Sequence, residues 1–348
     1  MTFKVAITSF RSPAEVTRQV IRDAGFELIE RACTTFEQVI ETADDADAVL
    51  IAIRPPTTRQ MLEALPRIKM VGRHGVGVDS VDLEAATQLG IMVCNTPGMN
   101  MSEVADHAMA LLLSVTRRVA WLDAGIKQGW WSDQPEELAA QNARLMRIAG
   151  GVVGIVGLGN IGKAFATRVR GFGPSRIIAH DPYVPQTTGD VYGVEMVELD
   201  ELLRESDFVS IHTPLNEETR HIMNAERFRQ MKPTAVVVNT SRGPVVDEAG
   251  LHEALTRGYI AAAGIDVTEV EPLDAESPLL KLDNIVITPH FAGNSPFSAS
   301  VGARWWAENA VRVLTGKPPL GLANPDVIKT IAVQRSKGDT RWEGVPGA

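Results

Sequence analysis

The chain has 348 residues, 45% hydrophobic and 22% charged, which is enough for two hydrophobic cores and too apolar for a disordered chain. A net charge of -9 excludes a generally basic surface, so neither nucleic acid nor an anionic membrane is an expected partner. Cys33 and Cys94 are too few for a disulfide framework or a thiolate metal site and fit a reducing, cytoplasmic compartment; no apolar run is long enough to span a bilayer.

From the N-terminus, Lys4 to Ser9 reads as a strand rather than a secretory signal. Ser12-Pro13-Ala14-Glu15 then supplies an N-cap, a first-turn proline and a capping-box acid for a helix that Gly25 stops. Strand-like runs follow at 26–30, 48–53, 69–73 and 91–96, with helical stretches between them and Gly90 ending one of these. Thr96-Pro97-Gly98 breaks the series. A long helix starts at Asn100, with Glu103 completing a second capping box; its Val104, Ala108, Leu111, Leu112 and Val115 share one face, as packing at a domain junction requires. From Val152 a second series runs through 152–156, 176–180, 208–212, 235–239, 260–267 and 285–288, which suits a complete dinucleotide-binding sheet. A last helix, 297–314, closed by Gly316, is expected to return to the first domain. The tail beyond Asn324, rich in Gly, Pro and charge, is expected to be loosely ordered. The alternation predicts an α/β protein with two parallel-sheet domains: residues 1–97 with 291–330, residues 98–290, and a tail at 331–348.

Gly157-Leu158-Gly159-Asn160-Ile161-Gly162 follows a strand and opens a helix, the context that gives a G-x-G-x-x-G pattern its weight. Gly157 permits the tight bend, Gly159 lets backbone N–H groups approach a pyrophosphate, and Gly162 allows close helix–strand packing. The helix N-terminus adds partial positive charge. Asp181 ends the next strand, 19 residues after Gly162, where a carboxylate accepts bonds from ribose hydroxyls and repels a 2′-phosphate. NAD is therefore expected over NADP, with Arg176 nearby in an unknown direction; the plainer explanation of Asp181 is a turn former before Pro182.

Reduction of a 2-keto acid needs a cation for the carboxylate and carbonyl oxygen and an acid for the developing alkoxide. Arg242, Glu271 and His290 each follow a strand of the second series, at the end where open α/β sheets bind ligands. Alone, each has an ordinary surface or turn explanation; after successive strands of a cofactor sheet the set is specific.

Gly157 to Gly162, Asp181, Thr240-Ser241-Arg242-Gly243, Asp266 to Pro272 and Thr288-Pro289-His290 together resemble the D-isomer-specific 2-hydroxyacid dehydrogenase family, over roughly residues 45 to 320. Gly72-Arg73-His74-Gly75-Val76-Gly77-Val78-Asp79 and Asn95-Thr96-Pro97-Gly98 resemble its substrate-domain signatures, most closely in the phosphoglycerate dehydrogenase-like branch. The resemblance implies a flavodoxin-like substrate domain and a doubly wound NAD-binding domain, with the active site in the cleft between them and hinges near residues 97 and 291. It implies that His290, supported by Glu271, is the acid in reduction and the base in oxidation, and that Arg242 clamps substrate carboxylate and carbonyl. By the same resemblance, the N–H groups of Val76 and Gly77 are expected to complete the carboxylate pocket. The resemblance further implies that Asp266 and the backbone at Thr240 and Ser241 orient the nicotinamide carboxamide, that His212-Thr213-Pro214 borders the adenosine, and that the chain forms a homodimer. Phe291 stands where a small aliphatic residue is more usual, and no large C-terminal regulatory domain is present, so serine-type feedback is not expected.

Arg54 either meets a second anionic group of the substrate or is a surface arginine before Pro55-Pro56; both readings stand. His74, His107, His180, His212, His221 and His252 are scattered, and no metal is expected. Trp130-Trp131 and Trp305-Trp306 are taken as core or interface anchors. Two rivals remain: an NADH-sensing, corepressor-like binding protein of the same fold, and a formate dehydrogenase, disfavoured because that branch pairs its histidine with glutamine where this chain has Glu271.

Overall fold

The structure is a computed structural model that describes residues 2–9 and 14–346. It divides into two compact units, one holding the chain up to Met99 and from Ser295 onward, the other Asn100–Asn294.

The first unit opens with β1 (Lys4–Ile7), α1 (Glu15–Asp23), β2 (Glu27–Glu30), α2 (Phe36–Ala43), β3 (Ala48–Ile51), α3 (Arg59–Glu63), β4 (Met70–Arg73), α4 (Leu83–Gln88) and β5 (Met92–Cys94). All five strands are parallel, in the order β2-β1-β3-β4-β5, which is the flavodoxin-like arrangement. The capping residues expected at Ser12 and Pro13 lie outside the described residues.

The second unit runs through α5 (Met101–Thr116), α6 (Val119–Lys127), α7 (Trp130–Asp133), α8 (Pro135–Asn142), β6 (Val152–Val156), α9 (Asn160–Val169), β7 (Arg176–His180), α10 (Gln186–Val191), β8 (Glu195–Met196), α11 (Leu199–Glu205), β9 (Phe208–Ile211), α12 (Ala225–Gln230), β10 (Val236–Asn239), α13 (Glu248–Arg257), β11 (Ala262–Ile265) and β12 (Ile285–Ile287). Its seven parallel strands lie in the order β12-β11-β10-β9-β6-β7-β8. Numbered within the unit, that is the doubly wound 3-2-1-4-5-6 order with a seventh strand added. Both faces of the sheet are covered, by α5 and α9 on one side and α11, α12 and α13 on the other, so its strands are near-continuous apolar runs. Val104, Ala108, Leu111, Leu112 and Val115 of α5 are all buried.

The chain returns to the first unit through α14 (Pro296–Leu314), which packs on α1, β3 and β4, and ends with α15 (Val327–Ser336). Ser295 caps α14 with a capping box closed by Ser298.

Three expectations are corrected. The tail is ordered: Val327, Ile331, Trp342 and Val345 are buried in the first unit's core, and Trp342 Nε1 donates to Gly90 O at 3.0 Å. Asn100 occupies the N-cap of α5 without a side-chain bond to the helix, because its amide lies against Gly293. That contact, and the bonds described below that hold Phe291 and Ala292, keep residues 291–294 with the second unit, four residues beyond the anticipated crossing.

Candidate active site

Strand order in the second sheet reverses between β6 and β9, and open α/β sheets bind ligands at the carboxyl ends of strands at such a switch point. Gly157 follows β6 with φ of +93°, and a Cβ there would press on the His212 and Thr213 backbone at 2.9 Å. Only glycine meets both demands. Gly159, the N-cap of α9, faces open space, whereas a Cβ on Gly162 would run into Gly157 O. The turn is pinned below by Gly157 N–H donating to His180 O at 2.8 Å and His212 N–H donating to Val156 O at 2.7 Å. The ten-residue α9 thus presents its unpaired first-turn N–H groups over Gly159, with Asn160 exposed and Ile161 half-buried.

Asp181 follows β7. Its Oδ2 accepts Leu158 N–H from the glycine turn at 2.9 Å and its Oδ1 accepts Tyr183 N–H at 3.0 Å, so it serves as a turn former and as a brace for the glycine turn. Each oxygen keeps lone-pair capacity for a ribose hydroxyl. Arg176 lies at the opposite end of β7, paired with Glu195 and Glu205, and so is directed away from this switch point. The His212 ring is buried against Phe165, with Nε2 2.9 Å from Ser210 Oγ. Burial pulls its pKa down to about 3, so the ring stays neutral. Pro214 beyond it is exposed. His212 Nδ1 and the hydroxyls of Thr213 and Thr240 are buried polar atoms without a hydrogen-bond partner in the protein. Such atoms are normally satisfied, and a dinucleotide in the open space over Gly159, beside Asp181, fits these donors and acceptors.

β10 ends in Asn239, whose side chain fastens the next turn on both sides. Its Oδ1 accepts Ser241 N–H at 3.0 Å and Ser241 Oγ–H at 2.8 Å, and its Nδ2 donates to Arg242 O at 3.0 Å. Any Cβ on Gly243 would overlap the Thr268 carbonyl, so the Arg-Gly step lets this turn close on the segment after β11. Within that segment Glu271 Oε1 accepts Thr268 N–H at 3.4 Å, and Oε2 lies 2.7 Å from His290 Nδ1. Burial raises the Glu271 carboxyl, but the His290 hydrogen bond and charge, the Thr268 N–H and the charge of Arg242 outweigh it, and Glu271 titrates below its ordinary 4.5. Arg242, Glu271 and His290 therefore form one electrostatic group within the second unit. The His290 and Glu271 side chains are 41% and 38% exposed, accessible to a reactant.

His290 itself has a left-handed backbone, φ +57°, unusual for a side chain of its size and worth of the order of 1 kcal/mol of strain. Its N–H donates to Asp266 O at 2.7 Å. Asp266, expected beside the nicotinamide carboxamide, has a fully buried carboxylate whose bonds go to the His290 loop: Thr288 Oγ–H at 2.6 Å, Phe291 N–H at 2.9 Å and Ala292 N–H at 2.8 Å. The His107 ring meets this group, 2.9 Å from Thr288 Oγ1. Nothing in the sequence reading singled His107 out. The available signal was its position, three residues after Val104 and four before Leu111, a polar residue on an apolar helix face.

In the first unit, Gly75 O accepts Thr96 N–H at 3.0 Å and Val76 O accepts Asn95 Nδ2–H at 2.7 Å. The segment Asn95-Thr96 thereby sets the shape of the loop that carries Val76 and Gly77. Arg54 lies exposed in the bend beyond β3, which ends at Ile51. Trp306 is buried, donating to Gly72 O at 2.7 Å, and Trp131 is exposed. Among the described residues no group of His, Cys, Asp and Glu is arranged to hold a metal ion, and no helix is long and apolar enough to cross a membrane.

Residues 109–292 match the family described as D-isomer specific 2-hydroxyacid dehydrogenase, NAD binding domain. The chain is 42% identical over 294 residues to a glyoxylate reductase of Korarchaeum cryptofilum, covering 84% of this chain and 86% of that one. It is 37% identical over 284 residues to the D-3-phosphoglycerate dehydrogenase of Methanocaldococcus jannaschii, covering 81% of this chain and only 52% of that longer relative. Among solved structures, the holo form of Rhodotorula graminis D-mandelate dehydrogenase superposes with a TM-score of 0.84 at 28% identity, over 93% of this chain and 98% of that one. With a nucleotide-binding crevice of matching topology and a family match across more than half its length, the chain belongs to the NAD-binding D-isomer specific 2-hydroxyacid dehydrogenases.

Proposed function

We propose that the protein reduces a small 2-keto acid to the D-2-hydroxy acid, and catalyses the reverse, with His290 as acid/base, Glu271 as its partner and Arg242 as the carboxylate and carbonyl clamp. The observation that carries this reading is the 2.7 Å contact between Glu271 and His290, within the reach of Arg242's charge, on the turns that follow β10, β11 and β12. NAD(H), when bound, supplies or takes the hydride at C2.

Arg242 pairs with the substrate carboxylate and draws negative charge onto the carbonyl oxygen, stabilising the alkoxide as it develops. His290, held by Glu271 through Nδ1, has Nε2 left to deliver a proton to that oxygen in reduction and to remove it in oxidation. The Glu271 carboxylate at Nδ1 fixes the orientation of the ring. Val76 and Gly77 are proposed to give backbone N–H donors to the carboxylate, and Arg54 to meet a second anionic group when the substrate carries one. Asn160, Ile161, Asp181, His212, Thr213, Pro214, Thr240, Ser241 and Asp266 are assigned to the cofactor with the three glycines.

Similarity to a glyoxylate reductase favours a short, mono-anionic keto acid. Both cysteines are buried and free, in keeping with a cytoplasmic enzyme. Apolar side chains exposed on α6 and α7 support a homodimer. The test is NADH loss against glyoxylate, hydroxypyruvate, phosphohydroxypyruvate and bulkier 2-keto acids, with NADPH alongside. Fast turnover of a short acid with NADH is expected; tight NADH binding without turnover of any keto acid overturns the assignment.

A further inference from the structure

His107 lies on α5 at the apolar face that packs on β10, β11 and β12, with its side chain only 25% exposed. Close packing there depends on Gly264 of β11, since a Cβ at that position would come within 3.1 Å of the Leu111 Cβ. One helical turn before Leu111, the His107 Nε2 reaches Thr288 Oγ1 at 2.9 Å, and the Thr288 hydroxyl is 2.6 Å from Asp266 Oδ1. The proton pattern follows from counting. A carboxylate accepts only and a hydroxyl has one proton, so the Thr288 proton goes to Asp266 and the imidazole must donate from Nε2. The same Nε2 is 3.5 Å from Asp266 Oδ1.

Asp266 encloses His290 in the chain. Its carbonyl accepts the N–H of His290, and its carboxylate accepts the N–H groups of the two residues that follow, which keeps residue 290 in a left-handed conformation. The direction of the imidazole depends on that backbone, and the direction of the backbone depends on where the carboxylate is held.

We propose that His107 is a positioning residue for the acid/base histidine: it donates through Thr288 to Asp266 and so fixes the carboxylate that clamps the backbone on both sides of His290. The inference rests on the proposed role of His290 and adds a residue to it, 183 positions away in sequence, that touches neither cofactor nor substrate.

Four variants test it in keto-acid reduction with NADH. Misplacing an acid by a fraction of an ångström costs rate far more than affinity, so His107→Ala is expected to lower kcat about 10- to 10²-fold with KM for both reactants nearly unchanged. His107→Gln, whose amide N–H can still donate to Thr288, recovers most of the loss. Thr288→Val breaks the same relay and lowers kcat alike, and adding His107→Ala to it costs nothing further. Full kcat in His107→Ala or in Thr288→Val overturns the proposal, as does a loss that glutamine fails to recover and that multiplies with Thr288→Val, the mark of plain helix packing. His290→Ala is run in parallel. If it is inactive while His107→Ala is normal, only this inference fails; if it is itself near normal, the active-site assignment fails with it.

Discussion

Loss of the imidazole at His290, or of the guanidinium at Arg242, removes a group proposed to act on the reacting oxygen and leaves the glycine turn untouched. His290→Ala and Arg242→Ala are therefore expected to lower turnover about 10²-fold or more while NADH still binds, read by kcat and by NADH fluorescence titration. Glu271 adds a pH signature. Its folded carboxyl titrates below the ordinary 4.5, so the negative charge that supports His290 is present above that value and is lost as pH falls through the lowered one. Glu271→Gln is neutral at every pH. Its rate profile should lie well below wild type near neutrality and meet it only in acid; profiles that run parallel throughout would mean that the charge of Glu271 is irrelevant. At the other end of the cofactor, Asp181→Asn keeps the shape but loses the charge and one acceptor oxygen. About 1.5–3 kcal/mol of charge-assisted hydrogen bonding is at stake, roughly a tenfold rise or more in KM for NADH, with discrimination against NADPH relaxed. The three residues proposed to act on the substrate stand out in the sequence because each follows a strand of one series. His107 does not, because its meaning comes from Thr288, 181 positions away, and no local pattern encodes that meeting.

Among the elements, those with strong periodicity were read within a residue or two, as at β6, β7 and α14, because a buried parallel strand is a run of apolar residues and an amphipathic helix repeats its apolar face. The two-residue β8 escaped notice, and so did the short helices α6 to α8, which are too brief to show a period. The tail was misread for a different reason. Gly, Pro and charge dominate its composition, yet order needs only a few large side chains with a place to go. Val327 and Ile331 sit one turn apart on α15, and Trp342 reaches the first unit's core with its indole N–H satisfied by Gly90. Trp342→Ala leaves a cavity there and an unpaired carbonyl, a change of about 3–5 kcal/mol. The expected result is a lower thermal midpoint for the first unit, with NADH affinity retained because the nucleotide crevice belongs to the other; an unchanged melting curve would show that the tail contributes nothing to the core.

For the molecule as a whole, alternating strand and helix patterns implied parallel sheets, but not which strands are neighbours, since strand order depends on contacts between segments far apart in sequence. The state of association is the least legible property, because an interface between copies resembles an ordinary surface until burial is measured. In the single chain Val119 is 55% exposed, Ile126 40% and Trp131 76%, on the consecutive helices α6 and α7. Scattered apolar residues are common on surfaces, whereas a tryptophan and two aliphatic side chains within thirteen positions mark a surface that gains by being covered. Aromatic anchors of this kind carry a disproportionate share of association energy, about 2 kcal/mol or more apiece when central. A carboxylate placed there would have to be desolvated against its own symmetry mate. Trp131→Asp is accordingly expected to convert a dimer into a monomer of 37.7 kDa at micromolar concentration, measured by analytical ultracentrifugation, with its far-UV circular dichroism unchanged. A wild-type protein that sediments as a monomer, or a Trp131→Asp variant that remains dimeric, would mean that this surface is not where two copies meet.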